Sequence, residues 1–152
     1  MVLHEHTDDP APQLDHVLRM LLVHDIVEID AGDTFAFDTT GHVGKLDRER
    51  AAADRLFGQL PIGQRDAYRA LWNEFEAAIT PEARYANAID RLQAVTQNVV
   101  SGGGSWLRYG VTREQVMQRV APVEGVSAAL WSYTLRLLDR AEQDGALGVR
   151  PA

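Results

Sequence analysis

The 152-residue chain carries 15 Lys and Arg against 22 Asp and Glu, a net charge of -7, and its scattered arginines form no basic patch of the kind that binds polymeric nucleic acid. It has no cysteine, which excludes disulfides and thiolate metal sites, so any metal must be held by His and carboxylate. No apolar run is long enough to span a bilayer and the N-terminus lacks a basic signal region, so a single cytoplasmic domain with no membrane partner is expected.

In chain order, "HTDDPAPQ" is a polar loop in which Asp8, Asp9, Pro10 and Pro12 exclude a helix interior. The pattern then predicts a helix from about Leu14 to Ala31 that is apolar on almost every side and should be buried nearly all round, ended by Gly32, with Asp33 in the turn that follows. "TFAFDTTGHVGK" reads as loop. Leu46, Ala53, Leu56, Phe57 and Leu60 fall at helical spacing from Leu46 to Leu60, where Pro61 stops the helix. The next helix is expected from about Gly63 to Ala78, with Leu71, Trp72, Phe75 and Ile79 inward. Thr80 as N-cap, Pro81 in the first turn and Glu82 beside it mark the start of a helix reaching Val100. "SGGGS" reads as an interhelical loop; without a preceding strand or a following Lys-Ser/Thr it is not a phosphate-binding loop. Thr112 and Gln115 fit a capping box, and "SAALWSYTLRLLDRAEQDG" keeps a 3.6-residue period to Gly145. The class is all-α, a bundle of about six helices, with Trp72, Trp106 and Trp131 as core or interface anchors.

The chemistry concentrates in "LLVHDIVEIDAGD". His24 and Glu28 are four apart and Asp25 and Glu28 three apart, so their side chains share one sector of a helix. Such a helix would bury two carboxylates and an imidazole together; ionised groups taken out of water cost several kcal/mol unless paired or metal-bound, and a metal ion is the most economical compensation. An open metal site needs another protein ligand from elsewhere. Asp90 is the candidate: with Ala83, Ala86 and Ala94 it forms a stripe of small residues that would let its helix approach a neighbour, the competing reading being an ion pair with Arg91 or Arg84.

The His-Asp pair, the Glu three residues beyond it, the Gly-Asp that follows and Asp90 in "AIDRLQ" resemble the HD superfamily of metal-dependent phosphohydrolases, in particular the compact branch that includes 5'-deoxynucleotidases. The resemblance extends through "KLDRERAAADRLF", "LWNEFEA", "TPEARYANAIDRLQ" and "SGGGSW". It implies an HD-domain helical bundle over residues 1–152 in which His24, Asp25 and Asp90 bind a divalent ion (Mn, Co, Fe, Mg or Zn), while Glu28 and Asp33 orient and activate the attacking water. The implied substrate is a small phosphate ester, a nucleoside 5'-monophosphate by resemblance. Lys45 is a candidate for the substrate phosphate, ahead of Arg48 and Arg50; Glu49 is expected to pair with Arg48 or Arg84.

The chain departs from the family in one respect. A His on the family's first helix, with an Arg nearby, has no counterpart when the sequences are aligned on the His-Asp pair. Met1 would then fall inside that helix, and the domain is expected to be N-terminally incomplete. His4 and His6 would lie some 15 Å from the missing ligand, roughly three helical turns away, and are read as solvent-facing loop residues. His16 is read as packing or surface, and His42 as a residue near the pocket mouth at most. A chain without that first helix would be marginally stable alone or would cover the gap by pairing with a second subunit, and a homodimer is expected. The competing function is a catalytically impaired remnant serving as a binding or dimerisation module.

Overall fold

The computed structural model describes residues 1–8, 12–38 and 40–148; Asp9 and Pro10 of the Pro-broken loop lie outside the described residues. No strand occurs among the described residues, and the all-α class expected from the periodicity holds. No described helix is long and apolar enough to cross a membrane. The described residues form two compact units, 15–86 and 1–14 with 87–152.

In the unit of residues 15–86, α1 (Leu14–Val23) passes through a 3-10 turn (His24–Val27) into the short α2 (Glu28–Ala31). The sequence pattern predicts one helix here. Within α1 the spacing of Val17, Met20 and Val23 sets the buried face and leaves Leu22 off it, and beyond α1 the 3-10 turn changes the angular step from 3.6 to about 3 residues per turn, so the apolar residues do not all turn inward. Val17, Met20, Val23 and Val27 are buried, whereas Leu22 and Ile29 stand 77% and 75% exposed, which overturns the expectation of a segment buried nearly all round. Val23 and Val27 pack with Ala52, Ala53 and Phe57 of α3 (Lys45–Phe57) and Trp72 of α4 (Ile62–Ala77). Gly32, at φ 78, ends α2, and Gly44, at φ 68, starts α3; a side chain at either φ would be strained. Asp30 and Arg55 form an ion pair tying α2 to α3.

At the end of this unit, Thr80 caps the first turn of the long α5 (Pro81–Val100), whose residues from Asn87 on belong to the other unit, by accepting the Ala83 amide at 3.1 Å. Its hydroxyl donates to Glu74 Oε1 at 2.6 Å, and Glu74 Oε2 lies 2.8 Å from His16 Nε2. Burial pushes the Glu74 carboxyl up, but the hydrogen bonds from Thr80 and His16 outweigh it and hold the group below its ordinary range. His16 is thus a packing residue joining α1 to α4. Thr80→Ala should cost about 0.5–2 kcal/mol of stability, read as a lower urea midpoint at unchanged slope; an unchanged midpoint would show that α5 does not depend on this cap.

In the other unit residues 101–103 of "SGGGS" form the expected turn between helices, and Gly104 and Ser105 already open a short helix, α6 (Gly104–Tyr109), followed by α7 (Arg113–Val120) and α8 (Ala128–Gln143). The capping box at Thr112 and Gln115 is present. Leu92, Trp106, Val111, Val116, Val120, Val123 and Leu138 form the interior, while Trp131 is only partly buried. His4 and His6 lie in a 3-10 turn (Val2–His6), not a loop. His4 is partly buried with Nε2 2.7 Å from the Pro12 carbonyl, and Ser127 Oγ donates to the His6 carbonyl. Two further inward assignments fail: Ile79 is 75% exposed just beyond α4, and Ala94, the last residue of the small-residue stripe, is exposed while Ala83 and Ala86 are fully buried.

Candidate active site

His24 opens the 3-10 turn that follows α1, its side chain 12% exposed. Nδ1 lies 2.9 Å from the Leu21 carbonyl one turn back, and the ring sits 4.3 Å from that of Phe75. Nε2 lies 2.9 Å from Asp25 Oδ1. Both ring nitrogens therefore face acceptors, and a neutral imidazole can donate to only one of them. With the proton on Nδ1 and given to the carbonyl, Nε2 keeps its lone pair beside the carboxylate oxygen. A backbone carbonyl fixing the tautomer in this way is the usual support of a metal-ligating histidine. Two ligands each about 2.1 Å from an ion and at right angles would stand about 3 Å apart, which the His24–Asp25 spacing matches. Asp25 itself is 66% exposed, which corrects the expectation that both carboxylates are buried with the imidazole; the 3-10 turn carries it outward.

Glu28 begins α2 and is partly buried. Burial pushes its carboxyl up to about 7, with Asp25, Asp33 and Glu49 adding to the shift and Lys45 opposing it. Asp33 is exposed in the turn after Gly32. Within residues 15–86 the structure thus brings His24, Asp25, Glu28, Asp33 and Lys45 into one electrostatic neighbourhood. It adds two groups that the sequence reading did not place there. Glu49 is only 5% exposed and pairs with Lys45, Nζ to Oε1 3.2 Å, not with Arg48 or Arg84. Glu76 has its carboxyl pushed up by burial and by Glu49, with Lys45 and His24 pulling the other way. The available signal was register: Glu49 follows Lys45 by four and precedes Ala52 and Ala53 on the core-facing side of α3, while Leu46, expected inward, is 43% exposed.

Arg48 donates to the carbonyls of Val43 at 2.8 Å and Gly41 at 2.9 Å, closing the loop before α3, and Arg50 lies 3.9 Å from Asp47. His42 is exposed, 3.3 Å from the Ala36 carbonyl. Asp90 is partly buried on α5, in the unit of residues 1–14 and 87–152. Burial and Arg119 press the neighbouring Arg91 guanidinium down, and Asp90 opposes them. Among the described residues no group of three or more His, Asp or Glu side chains is gathered to hold a metal ion. The donor chemistry still fits a divalent cation: a fixed imidazole, an adjacent carboxylate and an excess of carboxylates whose mutual repulsion a cation would relieve.

A helical protein with a His-Asp pair at a helix break and an acid-rich neighbourhood defines a class. The chain belongs to the HD domain family, whose model matches residues 1–131. It is 31% identical over 91 residues to the 5'-deoxynucleotidase HDDC2 of Xenopus laevis, covering 60% of this chain and 45% of that protein. It is 29% identical over 94 residues to the 5'-deoxynucleotidase hdd1 of Schizosaccharomyces pombe, covering 59% and 48%. The match thus spans less than half the length of these relatives. A crystal structure of a predicted metal-dependent phosphohydrolase from Magnetospirillum magnetotacticum superposes with a TM-score of 0.89 at 47% identity, over 97% of this chain and 74% of that one.

Proposed function

We propose that the chain is a metal-dependent phosphomonoesterase acting on a small phosphate ester, with (deoxy)nucleoside 5'-monophosphates as the substrate class. The observation that carries this reading is the orientation of His24, with Nδ1 on a backbone carbonyl and Nε2 beside Asp25, next to a carboxyl raised to about 7 at Glu28. The nucleotidase relatives and the phosphohydrolase neighbour support it.

By the resemblance, His24, Asp25 and Asp90 would hold the divalent ion. Such an ion, when bound, polarises a phosphoryl oxygen and acidifies water. Glu28 accepts the proton of the attacking water; a base with a pKa near the working pH combines availability with driving force. Asp33, beside Glu28, orients that water. The water oxygen forms a bond to phosphorus as the ester P–O bond breaks; the leaving alkoxide takes a proton from solvent and Glu28 returns to solvent the proton it accepted, giving an alcohol and inorganic phosphate. Lys45 offers its ammonium to the phosphate.

Incubation with deoxy- and ribonucleoside 5'-monophosphates, with and without added divalent cation, should release inorganic phosphate only when the cation is present. Cation binding without phosphate release from any phosphomonoester would overturn the assignment and favour a non-catalytic HD module.

A further inference from the structure

The side of α3 that carries Ala52, Ala53 and Phe57 into the core also carries a carboxylate, Glu49, 5% exposed. Its partner is Lys45, one turn earlier on the same helix, Nζ to Oε1 3.2 Å, with the lysine side chain drawn in to 29% exposure. Helix stability does not account for this pair. Lys followed by Glu at i,i+4 is the weaker order. Lys45 is also the first residue of α3, where the helix dipole disfavours a cation. Glu49 adds to the repulsion on both Glu28 and Glu76, and a buried ion pair is on average no more stabilising than an apolar replacement.

The pair does place one cation against the carboxylates, since Lys45 acts on Glu28 and Glu76 alike. A phosphate ester approaching Asp25, Glu28 and Asp33 meets like charge and needs a cation of the protein's own. Of the arginines close in sequence, Arg48 is engaged with the Val43 and Gly41 carbonyls, Arg55 with Asp30, and Arg50 is exposed with Asp47 3.9 Å away. We propose that Glu49 is a positioning residue, holding the Lys45 ammonium on the Glu28 side of the site, where it takes the substrate's phosphate as a point charge. This rests on the phosphomonoesterase reading for the identity of the ligand.

The probe is inorganic phosphate, titrated calorimetrically into the full chain with divalent cation present, alongside KM and kcat. Lys45→Ala should weaken phosphate about tenfold or more, as loss of a charge-assisted contact does, and raise KM more than it lowers kcat. Lys45→Arg should stay within a few-fold of the wild type. Glu49→Gln should also weaken phosphate, but add nothing in the Lys45→Ala background, because both substitutions remove one contact. Glu49→Met, which leaves no buried amide unpaired, tests the same coupling should the Gln variant fold poorly. Unchanged phosphate affinity in Lys45→Ala, no measurable phosphate binding by the wild type, or an undiminished Glu49 effect without Lys45 would overturn the proposal. Failure to hydrolyse any ester, with phosphate affinity still lost in Lys45→Ala, would sink the phosphomonoesterase reading alone.

Discussion

Glu28→Gln should lower kcat by about 10²–10⁴-fold, the range general-base catalysis contributes, while affinity for the divalent cation stays within a few-fold of the wild type. The amide preserves size and the capacity to hydrogen-bond but cannot accept the water's proton. The same substitution has a second signature without substrate or metal. Burial first, then Asp25 and Asp33, raise the folded-state carboxyl from 4.5 to about 7, so the folded protein binds this proton more tightly than the unfolded chain. The stabilising contribution is complete below 4.5 and is lost as pH rises through about 7. The metal-free wild type should therefore melt at progressively lower temperature across that interval, and Glu28→Gln should flatten the dependence. Loss of cation binding in step with kcat would reassign Glu28 as a ligand; a pH dependence identical to the wild type's would place the raised carboxyl elsewhere.

What was legible in the sequence was whatever local chemistry decides. Thr80 and Pro81 start α5 because a capping hydroxyl and a missing amide hydrogen suit a helix entrance, and Thr112 with Gln115 does the same for α7. Helical periodicity also placed α3 and α4 within a few residues of their ends. Illegible was whatever depends on a change of pitch or on contacts distant in sequence. Nothing in "VHDIVE" announces the 3-10 turn, yet Asp25 lies within it and is carried outward. Apolar periodicity put Leu46 in the core; the actual register puts Glu49 there, because a carboxylate paired with Lys45 can occupy an inward position that a pattern of apolar residues assigns elsewhere. His16 finds its partner Glu74 across 58 residues of sequence, a pairing that spacing cannot reveal. Glu76 belongs to the same category: its environment comes from His24, Lys45 and Glu49, which lie on other elements.

Asp90→Ala should abolish cation-dependent stabilisation and, with it, turnover. The proposed ligand set draws two donors from adjacent positions of one turn and the third from α5, so two adjacent donors alone would leave the ion mostly to water. A cation at 100 times its Kd stabilises the folded state by about 2.7 kcal/mol, a clear upward shift of Tm for the wild type on adding the cation and a return on adding chelator. Loss of a direct ligand should reduce affinity by more than the roughly 10–100-fold that supporting residues typically cost, so the same cation concentration should leave Asp90→Ala unshifted. Removing an exposed carboxylate outside the set, as in Asp66→Ala, should preserve the shift and controls for net charge. His24→Ala should behave as Asp90→Ala does, whereas Asp33→Asn, assigned to the water, should keep the shift while losing turnover. A full cation-induced shift in Asp90→Ala would remove this residue from the ligand set and return it to the ionic neighbourhood of Arg91.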